Sequence, residues 1–291
     1  MKKLFIFIIL ISTILLNAKT WVREYTYQAS EADSKLTSRA ISLEQVKRLL
    51  LQEIGVYVHS TILNEEVEVS GELRELTAKQ IEIISAGITE TKIIEENWNG
   101  EIYYIKAEIT ADENDVIKRL DKVIEDKEKT KQLKESRSRT EKALAEINRL
   151  KQQLAQTQDE NEKLKIQKDY NESSNQLSAE DLFQKGNNAA EIGEYDNAIL
   201  YYQKSIELYS NANTYYNMGN AYGKKENFNR AIECFEKAIE INPDDANVYY
   251  NLGLVYRVKG NNEKGIGYIQ KAARLGNRAA QVYLRKNRIS W

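Results

Sequence analysis

Apolar positions between residues 179 and 276 recur at helical spacing, and small residues recur on a much longer period. Gly186, Gly219 and Gly253 are separated by 33 and then 34 residues, and Ala198, Ala231 and Gly265 repeat the same two intervals. Within 212–245, Tyr215, Met218, Gly219 and Tyr222 share one helix face, and Ala231, Phe235 and Ala238 share a face of a second helix. Residues 246–276 repeat this with Tyr249, Leu252, Gly253 and Tyr256, then Gly265, Ile269 and Ala272. The glycine and the first alanine of each unit are small where two helices cross closely. Pro243, the one proline in the chain, follows a second helix where a helix must stop. A period of this size predicts a solenoid of helix pairs, each burying its apolar face on the next.

These residues resemble the tetratricopeptide repeat: apolar residues at repeat positions 4, 7 and 11, Gly at 8, Ala at 20, an aromatic at 24, Ala at 27 and Pro at 32. Units 212–245 and 246–276 fit well. Unit 179–211 departs at Lys185, Ala189, Ser205 and Ser210. The resemblance implies an all-α solenoid whose first helices line a concave groove. The residues it places there are Phe183, Asn187, Asn213, Tyr216, Asn217, Asn220, Lys224, Asn247, Tyr250, Asn251, Leu254 and Arg257. Asn amides can bond an extended peptide backbone and Tyr rings can hold its side chains; the alternative is that these Asn are merely solvated surface. Some chaperone-binding members grip a terminal carboxylate with Lys, Asn, Asn, Lys and Arg. Here the matching places hold Phe183, Asn187, Asn217, Asn247 and Asn251, so the three cations are missing and carboxylate capture does not carry over. Twelve of the 18 tyrosines lie in 179–291, and the spacing of Tyr202, Tyr222 and Tyr256 assigns those three to repeat core rather than to an aromatic binding box. Residues 278–288, with Ala279, Ala280, Val282, Tyr283 and Leu284, are expected to cap the last unit.

Upstream, residues 113–176 contain no Gly or Pro. A heptad can be traced with Leu133, Thr140, Ile147, Leu154 and Asn161 at one seam position and Ser136, Ala143, Leu150, Thr157 and Leu164 at the other. This predicts a long coiled-coil helix that joins copies of the chain into a dimer or trimer; a single solvated helix is the other reading.

Residues 19–112 alternate between helix and strand patterns. TWVREYTY alternates as a strand does. Leu36, Ala40, Leu43, Val46, Leu50 and Ile54 fall on one helix face, and a second helix is expected over 73–84. Asn99-Gly100 between two apolar-rich runs predicts a hairpin with a type I′ turn. The order strand, helix, helix, hairpin gives a small α+β domain with helices over one face of an antiparallel sheet. The helix SRAISLEQVKRLLLQEIGVYVHS, with Gly55 and Val58, and then Ser85, Gly87 and YYIKAEIT resemble the N-terminal domain of flagellar assembly protein T and related envelope-lipoprotein domains. That resemblance implies an envelope location more than a chemistry.

Lys2 and Lys3 precede an apolar run over 4–16, and Ala18 offers a small residue for cleavage, the pattern of a secretory signal over residues 1–18. Such a run spans about 20 Å as a helix against about 30 Å of bilayer hydrocarbon, so a retained anchor is the second reading and no stable span is expected after cleavage. No Cys follows the run, which excludes a lipoprotein anchor. The chain is therefore expected to be periplasmic or otherwise exported.

Charge adds detail rather than direction. The net charge is −2, so nothing global points to nucleic acid. Residues 257–291 carry nine Lys or Arg against Glu263 alone, and residues 64–101 carry ten Glu against three basic residues. Solvated helix faces explain both; the functional reading is a basic patch of Arg274, Arg278, Arg285, Lys286 and Arg288 for an anionic partner, or contact between the two ends in an oligomer. His59 is the only histidine and Cys234 the only cysteine, which leaves no nucleophile–base pair, metal-ligand spacing or disulfide. Cys234 is read as a small packed residue. No cofactor is expected.

The whole reads as three parts: an α+β domain (19–112), a coiled-coil helix (113–176) and three repeats (179–211, 212–245, 246–276, within 177–276), followed by a cap and basic tail (277–291). Signal, coiled coil and repeats together partly resemble the periplasmic cell-division coordinator associated with the Tol–Pal system, which lacks the α+β domain. The expected function is an exported, non-enzymatic scaffold that binds a protein or peptide in its repeat groove and is oligomerised by the coiled coil. Two alternatives stand beside it. One is a structural component of an envelope machine, such as the flagellar base, acting through the N-terminal domain. The other is an accessory factor touching anionic envelope polymer through the basic tail.

Overall fold

The structure is a computed structural model that describes residues 18–64 and 70–291. The expected leader lies outside the described residues except for Ala18, which opens the first strand. The chain divides into two compact units, one up to Leu177 and one from Ser178.

The first unit is built on a three-stranded antiparallel sheet of β1 (Ala18–Gln28), β2 (Lys92–Trp98) and β3 (Ile102–Asp112), in the order β1-β3-β2. The central strand β3 alternates: Tyr103, Ile105, Ala107 and Ile109 are buried, and the residues between them face the other side. Trp21 of β1 pairs with Ile109 and is buried with it. The buried face is covered by α1 (Lys35–Asn64), whose Leu43, Val46, Leu50, Ile54 and Val58 fill the core. Leu36, expected on this face, is half exposed. Ala40 does turn inward, but toward a second core described below.

The helix expected over 73–84 is two helices, α2 (Gly71–Arg74) and α3 (Ala78–Ser85). Thr77 separates them because it starts α3 with a capping box: it accepts from the Gln80 N–H, and the Gln80 side chain accepts from Thr77. The hairpin forms where expected, with a different turn. Asn99 and Ile102 close it (N···O 3.3 Å), so Gly100 and Glu101 are the central pair. Gly100 has φ +103° and Glu101 does not have positive φ, so the turn is not type I′, which needs positive φ at both central residues. The Asn99 carboxamide accepts from the N–H groups of Glu101 and Ile102, so its side chain, not a left-handed backbone, completes the turn.

Residues 113–176 are not one long helix. They form α4 (Glu113–Glu125), α5 (Lys127–Gln156) and the first part of α6 (Glu160–Glu191). Asp126 and Asp159 mark the breaks, each accepting from the N–H three residues on and so opening the next helix. The seam expected to join copies is covered within this chain. Ala143, Leu144, Ile147 and Leu150 of α5 are buried against Ile166, Tyr170 and Leu177 of α6 and Ala40 and Ile41 of α1. Leu133 joins the sheet-side core, at a point where Gly87 leaves no room for a Cβ. Leu164, a seam residue by its spacing, is 70% exposed. A heptad records an apolar stripe; it does not record which surface covers it.

Two polar clusters fasten these helices. Asp33 Oδ2 accepts from the Ser30 N–H and Oγ (both 2.7 Å) and from Tyr27 (3.0 Å), and Tyr170 donates to its Oδ1. Arg137 of α5, nearly buried, contacts Glu44 of α1 at 2.6 Å and Glu141 at 3.2 Å, with Glu82 of α3 at 3.9 Å.

The second unit is the helical solenoid. The remainder of α6 packs on α7 (Tyr195–Leu208), where Gly186 meets Tyr202; α8 (Ala212–Lys224) pairs with α9 (Phe228–Ile241), and α10 (Ala246–Val258) with α11 (Asn262–Arg274). The last helix, α12 (Arg278–Lys286), covers the final pair with Ala280 and Leu284, while Ala279 and Val282, also expected to cover it, face outward. The reason for the glycine period is visible at each crossing. A Cβ on Gly186 would lie 2.4 Å from the Tyr202 ring, on Gly219 2.7 Å from the Phe235 ring, and on Gly253 2.7 Å from Ile269. Tyr202, Phe235 and Ile269 are correspondingly buried.

Candidate functional site

The first helix of each pair, followed by α12, presents a row of half-buried asparagines to its neighbour. Asn187 of α6 accepts from Asn217 of α8 at 2.8 Å, across 30 residues of sequence. Asn220 of α8 accepts from Asn251 of α10 at 2.8 Å, across 31. Asn247 of α10 accepts from Asn277 of α12 at 2.8 Å, across 30. The result is a ladder of carboxamides, one rung per junction. Its local supports are the caps: Asn211 accepts from the Asn213 N–H (2.8 Å), Asp245 from the Asn247 N–H (2.9 Å) and Asn277 from the Ala280 N–H (2.7 Å).

The rungs leave a specific remainder. Asn187 Oδ1 also accepts from Tyr202 (2.9 Å), and Asn251 Nδ2 also donates to Tyr216 (3.1 Å). Among the described residues, Asn187 Nδ2, Asn217 Oδ1, Asn220 Nδ2 and Asn251 Oδ1 carry no further bond. These groups alternate donor, acceptor, donor, acceptor from α6 to α10. An extended polypeptide offers N–H and C=O groups in the same alternation.

The other expected groove residues are distributed around this row. Tyr216 is half buried with its ring 6.0 Å from that of Phe235. Tyr250 and Leu254 rest on the last core cluster. Lys224 is exposed in the last turn of α8. Arg257 places its guanidinium 4.9 Å from the centre of the Tyr283 ring, and its Nε is buried without a partner. Phe183 does not line the row. It is only 5% exposed and lies 6.1 Å from the Tyr202 ring, inside the first cluster. The gap that Gly186 leaves for Tyr202 draws Phe183 inward with it.

Asn277 was not among the expected residues, yet it completes the third rung. Its signal is the repeated interval of 30 or 31 that already links Asn187 to Asn217 and Asn220 to Asn251. Cys234 is buried on α9, and burial pushes its thiol pKa up to about 12. Arg274, Arg278, Arg285, Lys286 and Arg288 are all exposed. Among the described residues no group of three or more His, Cys, Asp or Glu side chains converges as a metal site would, and no helix is long and apolar enough to cross a membrane.

Three family models described as tetratricopeptide repeat match the second unit, at residues 182–211, 212–245 and 234–266. Similar solved structures include the Arabidopsis OM64 tetratricopeptide repeat domain, at 23% identity and TM-score 0.37, covering 38% of this chain and 95% of that one. The first such domain of Spaghetti (RPAP3), bound to the HSP90 peptide SRMEEVD, is 25% identical with TM-score 0.37 over 38% of this chain and 90% of that one. MamA is 30% identical with TM-score 0.34, covering 42% of this chain and 66% of its own. No curated protein matches the chain. The helix pairs, the glycine crossings and the three family matches agree: residues 182–266 of this chain are tetratricopeptide repeats.

Proposed function

We propose that the asparagine row of the repeats binds an extended stretch of polypeptide, and that the chain is an exported, non-enzymatic scaffold. The observation that carries this reading is the alternation of uncommitted donors and acceptors on Asn187, Asn217, Asn220 and Asn251. Half-buried amides hydrogen-bond more strongly than fully solvated ones, and each well-made bond contributes about 0.5–1.5 kcal/mol net. Four such groups together contribute about 2–6 kcal/mol, the range of a weak, millimolar-class transient interaction. The row carries no cation of its own, so the ligand is held by its backbone rather than by a terminal carboxylate. The signal pattern in residues 1–18 supports export.

The test is a crosslinking pull-down from the native envelope, comparing wild type with a chain in which Asn187, Asn217, Tyr216 and Tyr250 are all changed to Ala. Thermal unfolding of the two proteins is compared in parallel, because Asn187 and Tyr216 also accept internal bonds. A partner lost from a variant that remains folded supports the groove. A partner retained by that variant moves binding to the first unit or to the basic tail, and the groove reading fails.

A further inference from the structure

We propose that the outer face of α12, with the residues that follow it, is a docking surface for an anionic lipid bilayer. Past Glu263 the chain contains no acidic residue. Lys264 and Lys271 lie over tyrosine rings, 4.2 Å from the centre of Tyr256 and 5.8 Å from that of Tyr249. Arg274, Arg278, Arg285, Lys286 and Arg288 are exposed and have no ion-pair partner among the described residues. Earlier in the same unit several cations are paired: Lys185 with Asp181 at 3.1 Å, Arg230 with Glu233 at 2.8 Å and Lys237 with Glu240 at 2.7 Å. Five exposed cations without an acidic partner favour an external anion.

The arrangement on α12 chooses among anions. Ala280 and Leu284 turn inward and are buried. At 100° per residue the opposite face is centred on Val282, flanked by Arg278, Arg285 and Lys286. Val282 is 53% exposed and Trp291, farther along, is 42% exposed. An acidic polymer would satisfy the cations and leave Val282 and Trp291 in water. A bilayer surface satisfies both sets: phosphates meet the Arg and Lys heads, while their stems, the valine and the indole occupy the boundary between headgroups and acyl chains.

The test is co-sedimentation of the full chain with vesicles of phosphatidylcholine alone and of phosphatidylcholine mixed with phosphatidylglycerol, at low salt and at ~0.5 M salt. Binding is expected to the mixed vesicles only, and to be released by salt. Arg278→Gln, Arg285→Gln and Lys286→Gln together should lower partitioning on the order of 100-fold, since each cation near an anionic surface contributes about fivefold. Val282→Ser alone should weaken binding severalfold at unchanged charge. All four positions are exposed, and circular dichroism checks that the variants remain folded. Equal binding to both vesicle types, or binding unaffected by the triple change, would overturn the proposal, because the apolar run at 4–16 would then be the part engaged. Polyphosphate binding without vesicle binding would overturn it in favour of a soluble polyanion.

Discussion

Lys151 Nζ sits 3.2 Å from Asp33 Oδ2, and the Asp33 side chain has no exposed surface. Lys151 also donates to Tyr27 at 2.7 Å and lies 4.6 Å from the centre of its ring. Strand β1, the loop after it, α5 and α6 thus meet on one carboxylate. Such a centre is stable only while every donor is answered.

Asp33→Asn keeps the shape of the group and reverses one of its ends. The new NH2 faces donors, and Lys151 loses its counter-charge. Breaking a buried pair in this way costs about 3–5 kcal/mol, which urea unfolding followed through the tryptophans of the first unit would measure. Burial opposes ionisation of Asp33, but the hydrogen bonds from Tyr170 and Ser30 and the charge of Lys151 outweigh it and hold the pKa below the ordinary carboxylate value. The stabilisation is therefore present above the ordinary value near ~3.9 and is lost as pH falls through the lower folded-state value. The stability gap between wild type and D33N should narrow over that acidic range; a gap constant down to the acid transition would refute the assignment.

The repeat glycines make a graded prediction. Gly219→Ala drives a methyl toward the Phe235 ring, which can turn, whereas Gly253→Ala drives one onto the Gly265 carbonyl oxygen at 2.7 Å, which cannot. Overpacking costs about 1–3 kcal/mol and offsets the ~1 kcal/mol that alanine gains over glycine in a helix. G253A should be the more destabilised of the two by thermal denaturation, and the reverse order would mean that the crossings are looser than described.

Asn251→Ala removes two donated bonds at once, to Tyr216 and to Asn220. Both acceptors are half exposed and can recruit water, so the loss should be about 1–2 kcal/mol rather than the larger cost of a stranded buried group. Hydrogen exchange should rise in α8 and α10 together; a rise confined to α10 would argue against a rung between them.

Cys234 supplies a chemical probe. Its thiol is buried and its pKa raised to about 12 by that burial, so the thiolate that alkylating reagents require is scarce near neutral pH. Iodoacetamide should label it only after unfolding. Rapid labelling of the native chain would show that α9 opens.

The repeats were legible because their signal is local and periodic. Gly186, Gly219 and Gly253 fall at a fixed interval, and the interval has one steric cause. Most of α1 and the hairpin were legible for a similar reason, since Leu43, Val46, Leu50 and Ile54 mark a face and Gly100 marks a turn. The covering of Ile147 and Leu150 was not legible. Their heptad spacing is real, but Ala40 and Ile41, which help bury them, lie more than a hundred residues away and carry no mark of it. The Asp33 centre was equally hidden, because Tyr27, Ser30, Lys151 and Tyr170 share no period. Repeat position points to the asparagines that form the rungs but not to the burial of Phe183, since position alone does not say that a neighbouring ring pulls it inward.

The asparagine rungs have a mechanical consequence. Each junction of the solenoid is bridged by amides that also form its inner row, so a polypeptide seated there would touch the joints themselves. It would act as a splint: end-to-end pulling on the repeats would meet more resistance with the row filled than empty. Departure of the guest would return the array to its three amide rungs and the apolar packing between its helices.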